Sequence, residues 1–293
     1  MFVRSLCVRM LMIVLAAPAV ALAAESWPTR PVRLIVPFAP GGSSDTAARV
    51  FSQKLSERLG QQIVVDNRSS AGGIVGADLL ARSPPDGYTL GLGNVSSQTG
   101  SPLIFSNVSY HPVKSFTYVA FIGTVPVVLI AHPSFPARSV ADLVKMAKAQ
   151  PGKIDYGTAG NGTIGHIVAE MFKLKTGINL THVPYRGSAF MFIDLRGNAI
   201  PIGFDALAQN TEHIKAGVVR PLAISGTKRV AMAPDIPTFV ELGYPEVVGE
   251  NWLGFLGPAG MPHAVVERVH REVMLIAKEP EIAERLLRLG ITH

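Results

Sequence analysis

Val32-Arg33-Leu34-Ile35-Val36-Pro37-Phe38-Ala39-Pro40-Gly41-Gly42-Ser43-Ser44-Asp45-Thr46 is the stretch on which the fold turns. Its first five residues are an apolar run of strand type, closed by Pro37. After Gly41-Gly42, the residues Ala47, Phe51, Leu55 and Leu59 recur every four positions, as on one face of a helix, until Gly60 stops them. Ile63-Val64-Val65 reads as the next strand and Gly73 to Ala81 as a second helix, halted by Pro84-Pro85. Asp86-Gly87 then turns the chain into a third strand, Tyr88 to Leu92. Strands and helices alternating over short links imply a parallel sheet covered on both faces, hence an α/β fold.

The pattern restarts after Gly123. Val127 to Ile130 is apolar and β-branched. A helix starts at Ser139, with Asp142 three residues on as a capping-box-like partner, and runs to about Ala149, where Pro151-Gly152 breaks it. Ile154 to Tyr156 is a strand, and Ile164 to Lys175 a helix closed by Gly177. Leu180 to Val183, Ile200 to Phe204 and Pro221 to Ile224 supply three more strands. Trp252 to Leu256 reads as a last strand, with helices from about Pro262 and Pro280. No fixed short period recurs, so these are two α/β units and not a solenoid. The expected division is a first lobe over 24–125, a second over 126–226, and a C-terminal return to the first over 227–293.

Residues Met1 to Ala24 have the layout of a secretory signal peptide: Arg4 and Arg9, an apolar stretch, then Ala21-Leu22-Ala23. Cleavage is expected after about Ala23, placing the protein in the periplasm. The apolar stretch is short for a membrane anchor and Glu25-Ser26 follows at once. Cys7, the single cysteine, lies in this leader, so stability must come from core burial and not from a disulfide. Without Arg4 and Arg9 the 27 basic residues become 25 against 21 acids, a net charge of +4. No Lys/Arg run with interleaved aromatics accompanies it, so no nucleic-acid partner is expected.

Each unit carries a Gly-rich turn between a strand and a helix: Pro37 to Thr46 in the first, Gly157 to His166 in the second. Glycine admits a ligand to the backbone, and free N–H groups with the helix dipole favour negative charge there. Ser43, Ser44, Thr158 and Thr163 add hydroxyl donors. Taken singly, each is also an ordinary turn with Asp45 or Thr163 as N-cap. As a pair, they point to a ligand held across a cleft. Neither is a P-loop. Gly160 to Gly165 does fit G-x-G-x-x-G, but no acid ends the following strand, where Tyr185-Arg186 stand instead. No His pair has H-x-x-x-H spacing and no G-x-S-x-G elbow exists, so no metal, cofactor or catalytic set is expected. His166 reads either as a base or as a helix-start residue bonded to its neighbours. Asp205, at a strand end after Gly203-Phe204, is placed either to accept from a ligand or to cap a turn.

The run Ile35 to Asp45 resembles the opening of the Bug family, the solute receptors of tripartite tricarboxylate transporters. The likeness continues through Asn67, Ala71-Gly72-Gly73, Pro85-Asp86-Gly87-Tyr88-Thr89, Tyr156-Gly157-Thr158-Ala159-Gly160 and His182-Val183-Pro184-Tyr185-Arg186-Gly187. Phe204-Asp205, Pro237-Thr238, Glu241-Leu242-Gly243 and Trp252-Leu253-Gly254 carry it toward the end. The resemblance implies a two-lobed periplasmic-binding-protein type II fold. It implies a carboxylate gripped by backbone N–H groups and hydroxyls of Gly41, Gly42, Ser43, Ser44 and Asp45 in lobe one. In lobe two the grip falls to Thr158, Ala159, Gly160 and Thr163, with Asp205 setting specificity.

The resemblance also implies a small organic acid or amino acid as ligand, membrane transporter subunits as partners, and a monomer. The family runs on past the equivalent of Gly290-Ile291-Thr292-His293 into a final helix, which leaves a truncation and a natural end both open for this chain. Phe190-Met191-Phe192 stand where the family shows small residues or proline. They read as core-facing helix residues or as the wall of a more apolar pocket. Two other functions fit the same residues: a secreted hydrolase using Ser43 or Ser44 with His166, and a solute sensor that feeds a signalling partner.

Overall fold

The structure, a computed structural model, describes residues 27–292; the proposed leader lies outside them. The first strand, β1 (Val32–Val36), pairs in parallel with β2 (Ile63–Asn67) and β3 (Thr89–Asn94). The helix between β1 and β2, α1 (Ser43–Leu59), buries Ala47, Phe51, Leu55 and Leu59 on the face that the four-residue repeat predicts. It ends where Gly60 adopts a left-handed conformation (φ 70°) and its N–H bonds the Ser56 carbonyl. A short α2 (Ile74–Ala81) covers the other face, packing Ala77 and Leu80 against Ile35 and Leu256, and a single-turn α3 (Ser101–Ile104) lies beyond β3.

The second unit repeats the plan. Parallel β5 (Asp155–Thr158) and β6 (Thr181–Pro184) lie beside β7 (Ile202–Ala206), with α4 (Val140–Ala149), α5 (Ile164–Thr176) and α6 (Ser188–Arg196) between strands. Ser139 accepts from the Asp142 N–H at the start of α4, as its spacing predicts. After α7 (Leu207–Lys215), β8 (Arg220–Ile224) pairs with β4 (Phe116–Ala131).

The two sheets share one long strand. β4 (Phe116–Ala131) pairs antiparallel with β9 (Glu250–Pro258) over Phe116 to Pro126, then with β7 over Val127 to Ala131. The eight-strand order is β2-β1-β3-β9-β4-β7-β5-β6, with β8 on β4. The sequence pattern starts this strand only at Val127 and leaves out Phe116 to Pro126, because Gly123 and Pro126 interrupt it. Pro126 sits where the partner changes from β9 to β7 and the ladder asks least of its missing donor.

Four apolar clusters hold the structure. The largest joins β1, α1 and β9 to Val265, Val269 and Val273 of α8 (His263–Ala277) and to Ile282 and Leu286 of α9 (Pro280–Arg288). The second gathers Tyr156, Phe172, Phe204, Phe239 and Val247, and the third Met191, Leu195 and Ile200 of the same lobe. The fold is the α/β, two-lobed architecture that the strand–helix alternation and the family likeness imply. No helix among the described residues is long and apolar enough to cross a membrane.

Candidate functional site

The Gly-rich turns face each other across a cleft of about 460 Å³. Gly41, Gly42, Ser43 and Ser44 line one wall; Ala159, Thr163 and Asp205 line the other. Neither α1 nor α5 has a side-chain cap at its N-cap residue, Gly42 or Thr163. The first-turn N–H groups at Ser43 and Ser44, and at Ile164 and Gly165, therefore lack a capping side chain, and all four residues line the cleft. Each helix dipole adds a partial positive charge at that end. Together they form a site suited to an anion clasped from both sides.

Three of the expected residues stand behind the walls and do not line the cleft: Asp45, Thr158 and Gly160. Asp45 is buried in the first turn of α1 and accepts from the Gly41 N–H at 2.9 Å, from Arg49 Nε at 3.0 Å and from Asn67 Nδ2 at 3.0 Å. Asn67 Nδ2 also donates to the Phe38 carbonyl at 3.0 Å. Burial works to raise the Asp45 carboxyl, but hydrogen bonds from Arg49, Gly41 and Asn67 outweigh it and hold the group below its ordinary range. It is a charged tether that shapes the loop. Asp45 lies inside α1, whose N-cap is Gly42, while Thr163 does hold the N-cap position of α5, without a side-chain cap bond.

In the second lobe the tether is a hydroxyl. Thr158 Oγ1 lies 2.7 Å from His182 Nε2, and the Gly160 N–H donates to it at 3.2 Å. The Gly160 carbonyl accepts from Thr163 Oγ1 at 2.8 Å. Behind the loop, His166 and His182 stack at 4.3 Å between ring centres, and His182 stacks on Tyr156 at 4.8 Å. Burial pushes His166 down, and pushes His182, with help from the His166 charge, down to about 4. Both rings are thus neutral at neutral pH, and His166 Nδ1 accepts from the Gly162 N–H at 3.2 Å. Ser43 and Ser44 line the cleft, whereas His166 is not among its lining residues and its Nδ1 is taken by the Gly162 N–H.

Asp205 is buried at the end of β7, accepting from Ser188 Oγ at 2.6 Å and Asn210 Nδ2 at 2.9 Å. Burial pushes its carboxyl up, only partly offset by those bonds. The Phe190-Met191-Phe192 run divides. Met191 is fully buried in the core, while Phe190 and Phe192 line the cleft.

Sequence reading missed Gln209 and Asn251. Both line the cleft, and the side-chain oxygens Gln209 Oε1 and Asn251 Oδ1 are buried without a hydrogen-bond partner. Gln209 Nε2 comes within 3.4 Å of where a Cβ on Gly42 would stand, so α7 of one lobe reaches the anion loop of the other. For Asn251 a signal existed: a polar amide in front of the apolar run Trp252-Leu253, in a strand otherwise destined for burial.

Two α/β lobes, one shared strand and a cleft edged by paired helix N-termini define a solute-binding protein of the periplasmic two-lobed kind. The comparisons agree: residues 47–292 match the family described as tripartite tricarboxylate transporter family receptor, and the chain belongs to that family. It is 34% identical to Protein BugT of Bordetella pertussis over 290 residues, 99% of this chain and 89% of that one. Among solved structures it superposes on the periplasmic binding protein BugD with a TM-score of 0.84 at 34% identity, covering 90% of this chain and 88% of that chain. It superposes equally on an R. palustris protein, Rpa4515, solved with adipate: TM-score 0.86, 36% identity, 90% and 88% covered.

Proposed function

We propose that this receptor works in the periplasm, binding a small carboxylate-bearing solute in the cleft and presenting it to the membrane subunits of a tripartite transporter. The observation that carries the reading is the pair of helix N-termini without side-chain caps, one on each cleft wall. In it, Gly41, Gly42, Ser43 and Ser44 hold the carboxylate from the first lobe, and Ala159 and Thr163 from the second. Asp45, Thr158 and Gly160 act one step back, fixing the two loops. Asp205 sets specificity through the cleft face it shares with Ser188. The adipate-bound relative supports the choice of a carboxylate.

Residues 1–23 act as a leader removed on export, in keeping with the periplasmic location of the relatives. In this reading the first lobe takes in the described chain up to residue 125, and the packing of Phe239 and Val247 among second-lobe residues supports a return to it nearer Glu250 than residue 227. Lobe closure buries the solute and marks the receptor as loaded.

A thermal-shift series of the protein against carboxylic acids and amino acids tests this. A melting temperature that climbs with ligand concentration is the expected result. Consumption of the added compound, or a flat response to every acid, refutes the receptor reading.

A further inference from the structure

The second-lobe wall of the cleft is apolar along α6. Phe190 and Ile193 are 57% and 65% exposed, and both line the cleft. Phe192 joins them there, its ring stacked on His213 with centres 3.8 Å apart and an interplanar angle of 22°. Phe38 lines the first-lobe wall ahead of the anion loop. Large apolar side chains left exposed on a ligand wall offer a surface for an apolar part of the ligand.

The polar groups of the cleft argue in the same direction. Among the described residues, its lining holds one guanidinium, Arg186, and one carboxyl, Asp205. Asp205 is already pressed by burial and has hydroxyl and amide donors but no cationic partner. Gln209 Oε1 and Asn251 Oδ1 are further acceptors with nothing to accept. A second ligand carboxylate is acceptor-only, so it would add charge near Asp205 and satisfy neither amide oxygen. A hydroxyl supplies the missing donor at no charge.

We infer that the solute is an aryl monocarboxylate bearing a ring hydroxyl. Its carboxylate occupies the anion loops, its ring lies on the Phe190–Phe192–Ile193 shelf, and its hydroxyl turns toward the Gln209 and Asn251 oxygens. This rests on the receptor reading above and names its ligand class.

Calorimetric titration of the protein with 3- and 4-hydroxybenzoate, and with succinate and malate, tests it. At least one hydroxybenzoate binds about tenfold or more tightly than either dicarboxylate, and Phe190→Ala weakens that binding by about tenfold, the scale of one aromatic contact. Phe190 is exposed, so the melting temperature of the free variant stays near the parent's and a loss of binding is not a loss of fold. If succinate or malate binds more tightly, or Phe190→Ala leaves hydroxybenzoate affinity unchanged, the ligand class is wrong while the receptor reading stands. If none of the four binds and no other carboxylate raises the melting temperature, the receptor reading fails and takes this inference with it.

Discussion

Closure of the cleft is testable at one pair of glycines. Gly100 ends the helical turn Ser96–Gly100 that follows β3, and Gly162 lies in the second-lobe loop ahead of α5. A Cβ built on Gly100 would stand 1.9 Å from the Gly162 carbonyl oxygen and 2.8 Å from its carbonyl carbon. Both atoms are backbone, so no rotamer change relieves the clash. Restoring ordinary contact at about 3.4 Å means parting the two segments by roughly 1.5 Å, the difference from 1.9 Å. Overpacking of this kind costs about 1–3 kcal/mol. If the proposed lobe closure is what brings these two loops together, the cost falls on the closed form alone. Gly100→Ala should therefore lower affinity by about 5- to 150-fold, the same free energy read as a dissociation constant.

Isothermal titration of parent and variant with a stabilising carboxylic acid measures it. Gly177→Ala is the control: its φ is +66° but nothing lies within 4 Å of the added methyl. That change strains the end of α5 and lowers the melting temperature without touching the cleft. An affinity for Gly100→Ala within about twofold of the parent, or an equal loss in Gly177→Ala, would refute the reasoning.

Two further predictions follow from the groups behind the loops. Asp45→Ala removes the one carboxylate that Gly41, Arg49 and Asn67 share, and with it the charge-assisted bonds that tie the loop to α1 and β2. It should cost about 1–3 kcal/mol of stability by chemical denaturation and weaken ligand binding as well; full affinity in the variant would show that the tether does not shape the site. The folded chain keeps His182 neutral down to about 4, while the unfolded chain protonates it below about 6.5. Its contribution to stability is thus present above pH 6.5 and lost as pH falls toward 4. The melting temperature should decline across that window, and less steeply in His182→Gln. Parallel declines would remove the imidazole stack as the cause.

Much of the fold was legible because local signals and tertiary structure agreed. The four-residue spacing from Ala47 to Leu59 and the stop at Gly60 needed only helix geometry. The first half of β4 was hidden because Pro126 argues against a central strand, and only the exchange of pairing partners makes it acceptable. The anion loops showed through their glycines. The division of labour within them did not, since a carboxylate such as Asp45 reads alike whether it meets a ligand or its own loop. Gln209 and Asn251 were illegible as a pair because α7 and β9 bring them to one cleft from opposite lobes.

The strand shared by both sheets has a mechanical consequence. A receptor hinged on slack loops would swing freely, with its stiffness set by chain entropy. Here β4 runs from one lobe into the other, and β9 stays paired with it, across two register shifts, up to Glu250 opposite Pro126. Such a joint should act as a torsion bar: rotation of one lobe against the other would wind the strand near Pro126 and Val127, where the pairing partner changes, while the ladders on either side stay paired. Amides flanking the joint should stay protected from hydrogen exchange in both forms, so that the molecule toggles elastically without local melting.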